Sequence, residues 1–412
     1  MADVKHFLLI LAVVTGRSVM AADTEPASNE QSMIVEEAIR KSLKKPAGEL
    51  TQADLDQVKE LNLDVSSADR FRSSARIKGA GLEEVAKLTQ LESLKLHGNQ
   101  LTEVTPLATL TQLKTLHLSY NQLTDASPLA KLKQLEYLHL NGNQFTEVSA
   151  LVGLTQLKTL ILSDNKFTDV SALAKLKQLT YLGLVENRKI DLTTVAKLTR
   201  LKTLGLGGCR LRGVSALAEL TQLQSLYLGS NKLTDASPLA NLTQLGTLSL
   251  SHNKLTDISP LAKLIRLKDL NLESNQITDA KALVELTQLK RLRLYGNQLT
   301  DLGPLAKLTQ LEHLHLTGNQ VTDLSALMKL TQLKTFILSG TNQLTDLSPL
   351  AGLTQLKKLY LSNNQLTDLS PLAKLAMLEQ LYLNNNPKLT QTEIDKLQKA
   401  LPKCEIKHNA KK

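Results

Sequence analysis

Three histidines, His97, His117 and His139, are the residues best suited to metal chemistry in this sequence of 412 residues. Their spacing would place them on adjacent strands, on the side that faces solvent. Neighbouring imidazoles could bind a transition metal, but the sequence shows no partner residues that would orient the rings by hydrogen bonds. We therefore favour a solvated or ligand-contacting face, and we expect no metal and no cofactor.

A second set of candidates is aromatic and central: Tyr137, Ile161, Tyr181 and Tyr227. These side chains surround strands in which glycine stands where other repeats carry a larger residue. The glycines are Gly183, Gly205, Gly207 and Gly208. Such strands permit close backbone approach, and exposed aromatic residues are frequent anchors at interfaces. The alternative is that the sequence has lost its regular pattern at these positions without any binding role, and that the packing of the neighbouring segments tolerates the change.

The third set is basic and aromatic: Arg291, Arg293, Tyr295, His313 and His315. Their alternate positions would make them face one way, as a patch suited to an acidic protein surface or an anionic glycan. Asp269 and Glu273 lie close enough in the pattern to neutralise that patch instead.

Catalytic motifs are missing from the sequence. It contains no Gly-rich phosphate loop, no HExxH and no GxSxG. The serines and aspartates recur at a fixed period, which indicates a role in turns. We therefore expect a binding surface and no enzyme activity.

The element that must position these candidates is a repeat typified by LTQLKTLHLSYNQLTDASPLAK, residues 110–131. Successive starts are 22 residues apart, except for one step of 23 after Leu330. The starts are Leu88, Leu110, Leu132, Leu154, Leu176, Leu198, Leu220, Leu242, Leu264, Leu286, Leu308, Leu330 and Leu353. This matches the L-x-x-L-x-L-x-x-N/C-x-L pattern of leucine-rich repeats.

One repeat predicts a strand with a buried face. Leu116 and Leu118 point inward, while Thr115, His117 and Ser119 are expected to face solvent. A single repeat cannot bury its leucines, so stacking must complete the core. The expected fold is an α/β repeat: a solenoid with a parallel sheet on its concave face, short 3₁₀ turns on its convex face, and helical caps at both ends.

An asparagine column marks where the chain leaves each strand. An inward amide there can bond backbone groups that would otherwise be buried unpaired. Its members are Asn99, Asn121, Asn143, Asn165, Asn187, Asn231, Asn253, Asn275, Asn297, Asn319, Asn342, Asn364 and Asn386, with Cys209 as the accepted substitute. We predict that Asn253→Ala costs about 1–3 kcal/mol of stability.

The T-D-x-S-P segment predicts the outer turn. Proline fixes φ there and suits the first residue of a short helical turn. Asp125 and Ser127 are expected to cap the turn in their repeat. The prolines are Pro128, Pro238, Pro260, Pro304, Pro349 and Pro371.

The sequence divides into a candidate signal peptide at 1–22, a polar segment and helical cap at 23–54, an irregular first repeat at 55–87, thirteen repeats at 88–374, and a last repeat with a C-terminal helical cap at 375–412. The N-terminal helix is expected from about Ser32, and the C-terminal helix at 391–401. The stretch 64–81 is too long and predicts a protruding loop. Lys189 and Thr341 are further irregularities.

Charge and cysteine content bear on partners and compartment. The formal net charge is +10, but its lysines recur through the repeats as solvated faces, so we expect no nucleic-acid partner. Cys209 and Cys404 are too far apart along a solenoid to form a disulfide. Residues 1–22 resemble a secretory signal peptide; the alternative is a cytosolic N-terminus. No stretch is long enough to span a bilayer.

The segment NQLTDLSPLAKLTQLK resembles the internalin-type, 22-residue class of bacterial leucine-rich repeat proteins. The resemblance covers 88–386 and implies a gently curved solenoid for protein recognition at or beyond the cell surface. The sequence departs from that class because it shows no immunoglobulin-like domain after the repeats and no LPxTG tail, so host-cell adhesion is not carried over.

We therefore expect a secreted or envelope-located, monomeric recognition protein that binds a protein, or a glycan, on the concave face. Two alternatives remain. One is a cytosolic scaffold that binds or regulates a partner enzyme, as in leucine-rich regulatory subunits of eukaryotic protein phosphatases. The other is a purely structural envelope role.

Overall fold

A computed structural model of the chain describes residues 26–65, 76–167, 169–188, 190–340 and 343–410. The candidate signal peptide, the centre of the predicted loop, Lys189, Thr341 and Asn342 lie outside the described residues. Contacts divide the chain into two compact units, residues 1–201 and 202–412. Each unit is described by itself.

The first unit contains a parallel ladder of short strands in chain order. Each strand pairs with the next in register, so that Leu94 lies opposite Leu116 and Leu116 opposite Leu138. The strands are β1 (Glu60–Asn62), β2 (Ser93–Lys95), β3 (Thr115–His117), β4 (Tyr137–His139), β5 (Thr159–Ile161) and β6 (Tyr181–Gly183).

The second unit repeats this arrangement, again parallel and in chain order. Leu270 lies opposite Leu248 on one side and Leu292 on the other. The strands are β7 (Thr203–Gly205), β8 (Ser225–Tyr227), β9 (Thr247–Ser249), β10 (Asp269–Asn271), β11 (Arg291–Arg293), β12 (His313–His315), β13 (Thr335–Ile337), β14 (Lys358–Tyr360), β15 (Gln380–Tyr382) and β16 (Glu405–Lys407).

Short 3₁₀ turns return the chain from one strand to the next, because half of a repeat leaves no room for a long helix. Proline occupies the start of many of these turns, as predicted. The first unit has Thr105–Thr109, Ser127–Lys131, Ser149–Leu151 and Ser171–Lys175. The second has Ser215–Glu219, Ser237–Leu239, Ser259–Lys263, Lys281–Glu285, Gly303–Lys307, Ser325–Lys329, Ser348–Leu350 and Ser370–Lys374. The predicted repeat solenoid is confirmed.

The helices lie at the irregular places in the pattern. They are α1 (Pro26–Leu43), α2 (Gln52–Asp56), α3 (Gly79–Ala86), α4 (Leu192–Val195) and α5 (Gln391–Ala400). α4 replaces a 3₁₀ turn in the repeat that begins at Leu176. Asp191 begins this helix because its carboxylate accepts a hydrogen bond from the Thr193 backbone N–H at 2.9 Å.

The asparagine column binds backbone groups, as predicted. Asn253 is 7% exposed. Its Nδ2 donates to the carbonyls of Leu228 and Leu250 at 3.0 Å each, and its Oδ1 accepts from Leu233 N at 3.0 Å. The same pattern holds at most other members of the column. The carbonyl oxygens of Asn187 and Asn364 are exceptions, since each is buried without a hydrogen-bond partner.

The outer turns differ in one respect from the prediction. Asp125 Oδ1 accepts from Ser127 N at 2.8 Å, so the aspartate organises the turn as expected. Ser127 does not cap it, because it is itself the first residue of the 3₁₀ turn. In an equivalent turn the Ser237 hydroxyl donates to the Asp235 carboxylate at 2.7 Å and so holds that carboxylate in place.

The N-terminal helix begins earlier than the pattern predicted, at Pro26 rather than near Ser32. Gln31 is the reason, since it is only 3% exposed and bonds the chain that returns from the loop. Its Nε2 donates to Arg76 O at 3.0 Å, and its Oε1 accepts from Lys78 N at 2.6 Å. Val35 and Ile39 on the same helix are fully buried or nearly so.

The C-terminal end matches the expected helix and short strand. α5 covers the array with Ile394 and Leu397, which are both buried. β16 then pairs in parallel with β15, one residue beyond the predicted position. Cys209 and Cys404 are buried and form no disulfide, and burial raises the pKa of Cys404 to about 11.

Candidate functional site

The solvent side of the first unit carries two neighbouring groups of rings, which together we call the imidazole–phenol ladder: His97 with Tyr120, and His117 with Tyr137 and His139. His117 stacks on Tyr137 with ring centroids 4.9 Å apart and contacts His139 edge-on at 5.6 Å. His97 meets Tyr120 edge-on at 5.2 Å. The strand register places these rings side by side, because His117 lies directly opposite His139.

Ser119 was predicted to face solvent, and this is wrong: it is only 2% exposed. It lies beneath His97, and its hydroxyl is 2.8 Å from Nδ1 of that ring. His97 is further fixed by Asp64, whose carboxylate accepts from its backbone N–H at 2.7 Å. These contacts supply orientation that the sequence did not reveal.

Two histidines of the ladder favour the neutral state. Burial lowers the pKa of His117 and that of His139 below the usual histidine value, and Asp64 opposes this effect at His117. These two rings therefore present mainly uncharged aromatic surface at pH 7 and gain charge in acid. No group of three metal-ligating side chains is positioned for a metal ion in the part of the chain that the structure describes.

Ile161, Tyr181 and Gly183 lie on β5 and β6, at the end of this ladder. Tyr181 is 38% exposed. The glycine does not leave an open surface, because a Cβ there would lie 3.3 Å from Ile161 Cγ2 and 3.3 Å from Ser163 Oγ. Tyr137 stacks on His117, so it belongs with the ladder and not with the glycine-containing strands. The expected close backbone approach at Gly183 is thus replaced by side chains of β5.

Tyr227 is in the second unit, opposite Gly205 on β7. It is 41% exposed. Its neighbours on β9 are small, with Ser249 in register beside it. Three members of the predicted central cluster, Tyr137, Ile161 and Tyr181, thus belong to the first unit, and Tyr227 belongs to the second.

The predicted basic and aromatic set comes together on β10 to β12. We call it the arginine patch: Asp269, Glu273, Arg291, Arg293, Tyr295, His313 and His315. Asp269 binds both arginines, with Arg291 Nε at 2.7 Å and one terminal nitrogen of Arg293 at 3.1 Å. The two guanidinium groups are thereby held at alternate positions on one face of β11.

Glu273 supports the other half of the arginine patch. Its Oε1 lies 3.3 Å from Nδ1 of His315, and that ring stacks on Tyr295 with centroids 5.3 Å apart. Burial lowers the pKa of His315, although Glu273 opposes the shift. Burial and the charge of Arg291 lower the pKa of His313. Both imidazoles are therefore mostly neutral at pH 7.

The charges of the arginine patch are unequally exposed. The arginine side chains are 52% and 39% exposed, whereas those of Asp269 and Glu273 are 17% and 21% exposed. Although two carboxylates balance two guanidinium groups, the surface that a partner meets is mainly guanidinium and phenol.

Two tyrosines on the strand face were not singled out from the sequence. Tyr360 and Tyr382 stack with centroids 4.5 Å apart, and the amine of Lys407 lies 5.2 Å from the second ring. Aligning the repeats by strand position would have found them, because they share a column with His315 and Ile337.

The two units share one architecture: a stack of leucine repeats, closed by an asparagine column, with ring and guanidinium side chains on the strand face. The family model "Leucine Rich repeats (2 copies)" matches residues 111–153, 155–197, 199–241, 243–285, 287–327, 309–352 and 354–399. The chain therefore belongs to the leucine-rich repeat family.

Two solved structures illustrate the similarity. An internalin (inlF) from Listeria monocytogenes shares 32% identity over 88% of this chain and 98% of its own, with a TM-score of 0.64. A leucine-rich repeat protein of Leptospira interrogans shares 28% identity over 89% of this chain and 97% of its own, with a TM-score of 0.76. No curated protein matches the chain by sequence. Within the described residues, no helix is long and apolar enough to cross a membrane.

Proposed function

We propose that this protein is an exported, non-enzymatic recognition protein of the internalin-type 22-residue class, and that it binds a protein ligand through the strand face of its second unit. The arginine patch carries this proposal. Its guanidinium groups are already oriented by Asp269, so less side-chain conformational entropy would be lost when a partner binds. Tyrosine and arginine are also the residues most often responsible for binding energy at interfaces.

The exposed guanidinium groups favour an acidic surface on the partner. Arginine forms paired hydrogen bonds with carboxylates, and Asp269 leaves part of each guanidinium group open to solvent. An anionic glycan would satisfy the same donors and is the alternative ligand.

A pair of charge-matched variants tests the site. Arg291→Ala/Arg293→Ala removes the exposed guanidinium groups, and Lys263→Ala/Lys307→Ala removes the same charge from exposed outer turns. Each purified chain would be immobilised and used to capture proteins from the extracellular fraction of the source organism. We expect the wild type and the lysine variant to enrich the same acidic partner, and the arginine variant to lose it. Equal capture by both variants would exclude the arginine patch as the site.

Export is tested separately by intact mass and cell fractionation. A chain that begins at Ala22 or Asp23 outside the cytoplasm supports the exported protein. Retention of Met1 in the cytosol favours the alternative, a scaffold that binds or regulates a partner enzyme. Light scattering would check the proposed monomeric state in the same preparation.

A further inference from the structure

A groove at the end of the second unit is lined mainly by amides. Its volume is about 460 Å³, within the range of small-ligand sites. Six side chains with amide groups line it: Asn363, Asn364, Gln365, Asn385, Asn386 and Asn409. We call it the amide groove. None of its lining residues is charged, which distinguishes it from the arginine patch.

The exposed amides of the groove are held by one another. Asn385 Nδ2 donates to Asn363 Oδ1 at 2.9 Å, and Asn409 Nδ2 donates to Asn385 Oδ1 at 2.8 Å. The Asn385 backbone N–H also donates to Asn409 Oδ1 at 2.6 Å. Asn363 and Asn385 have φ values of 58° and 59°, a conformation that asparagine tolerates better than most residues. The amides are therefore ordered before any ligand binds.

The floor of the groove is formed by buried asparagines of the column. Asn386 Oδ1 accepts from Leu366 N at 3.2 Å, as the repeat pattern requires. Asn364 also lines the groove but is fully buried. The amides that a ligand would meet are therefore those of Asn363, Asn385 and Asn409, which are exposed.

We propose that the amide groove binds a neutral oligosaccharide. Sugar rings combine many hydroxyl donors and acceptors with apolar C–H faces. The groove supplies neutral groups of both hydrogen-bonding kinds, together with apolar contact from Pro387, Leu389 and Ala410. The phenols of Tyr360 and Tyr382 precede Asn363 and Asn385 by three residues each, within roughly 10 Å along the strand direction, and extend the polar surface toward the strand face.

The absence of charge among the lining residues decides between ligand classes. A carboxylate, phosphate or sulfate group would lose hydration there without gaining an opposite charge. A neutral sugar loses only hydroxyl hydrogen bonds, which the amides replace. The proposal does not rest on protein binding by the arginine patch, because the two sites share no residue.

The test measures binding of the full chain to immobilised neutral oligosaccharides: chitotetraose, maltotetraose and cellotetraose, with heparin as the charged comparison. Asn363→Ser and Asn385→Ser remove the amides while keeping a residue that the equivalent positive-φ turns already contain at Ser230 and Ser274. Ser274→Ala is the matched control for a change at that turn position. Urea unfolding of each variant would show that the fold is retained.

We expect at least one neutral oligosaccharide to bind with Kd below about 1 mM, and each asparagine variant to weaken it roughly tenfold, while Ser274→Ala and Arg291→Ala/Arg293→Ala do not. Three results would overturn the proposal: no neutral oligosaccharide binds at about 1 mM, the asparagine variants bind normally, or the arginine variant loses binding to the same extent. A preference for heparin alone would assign glycan binding to the arginine patch instead.

Discussion

Replacing Asn253 by alanine tests whether the asparagine column holds the array together. The change removes an amide that bonds Leu228 O, Leu250 O and Leu233 N, each at 3.0 Å. Its third donation, to Ser251 O at 3.2 Å, matters less because that carbonyl also accepts from Ser230 N at 2.8 Å. Leu228 O and Leu250 O each keep a second amide donor, from Asn231 at 2.9 Å and from Asn275 at 3.0 Å. Only the Leu233 N–H would thus lose its sole partner.

The expected loss of unfolding free energy follows from these groups. The orphaned Leu233 N–H costs about 1–3 kcal/mol, and the two carbonyls lose one of two donors each, which water entering the space left by the amide replaces in part. We expect a loss of about 2 kcal/mol, the middle of the range predicted from the sequence. Urea unfolding followed by circular dichroism would measure it, provided that the denaturant dependence stays unchanged.

Asn364→Ala is the matched control. That amide also donates to two strand-end carbonyls, Leu338 O at 2.9 Å and Leu361 O at 3.0 Å, but its own oxygen accepts nothing. Its replacement orphans one group fewer and should cost about 1 kcal/mol less. If Asn253→Ala unfolds at the wild-type urea concentration, or if the control loses more stability, the hydrogen-bond account is incorrect.

Three further measurements follow from the described contacts. Acidification from pH 7 to pH 5 should destabilise the first unit. Burial lowers the folded-state pKa of His139 below the unfolded value of 6.5, so the unfolded chain takes up the proton first. In urea unfolding, His139→Gln should make the free energy of unfolding depend less on pH, and His252→Gln, at an exposed position, is the control. Gln31→Ala should cost about 1–3 kcal/mol and speed amide exchange at Lys78, since the glutamine bonds Arg76 O and Lys78 N; unchanged exchange would contradict the anchoring role. Leu292→Ala should cost about 2–5 kcal/mol because this side chain is fully buried between β10 and β12, and a loss below about 1 kcal/mol would show that the stack collapses around the cavity.

The repeating positions were predictable because each one recurs in the same surroundings. Leucines, asparagines and turn prolines have the same structural role in each repeat, so their period identifies both the strand and its buried face. The strand alignment also brought Arg291, Arg293 and His315 together as expected. The periodic part of the fold therefore follows from the sequence alone.

What could not be predicted depends on contacts outside the period. Gln31 extends α1 because its partners lie more than forty residues away. Ser119 is buried because one particular ring, His97, covers it. Asp269 binds two arginines at once through side-chain rotamers that no spacing determines. Gly183 seemed to open the surface, but Ile161 and Ser163 fill that space from the neighbouring strand.

The asparagine column also constrains how such a gene can change length. The Asn253 side chain accepts a hydrogen bond from the backbone N–H of the residue 20 positions before it. It donates a hydrogen bond to the backbone carbonyl 25 positions before it. Asn275 and Asn297 use the same two offsets. Recombination that removes one whole period of 22 residues between Leu220 and Lys329 would leave every remaining asparagine with partners of the same kind. A deletion that is not a whole number of periods would leave amides facing the wrong atoms, so selection should favour gain and loss of entire periods.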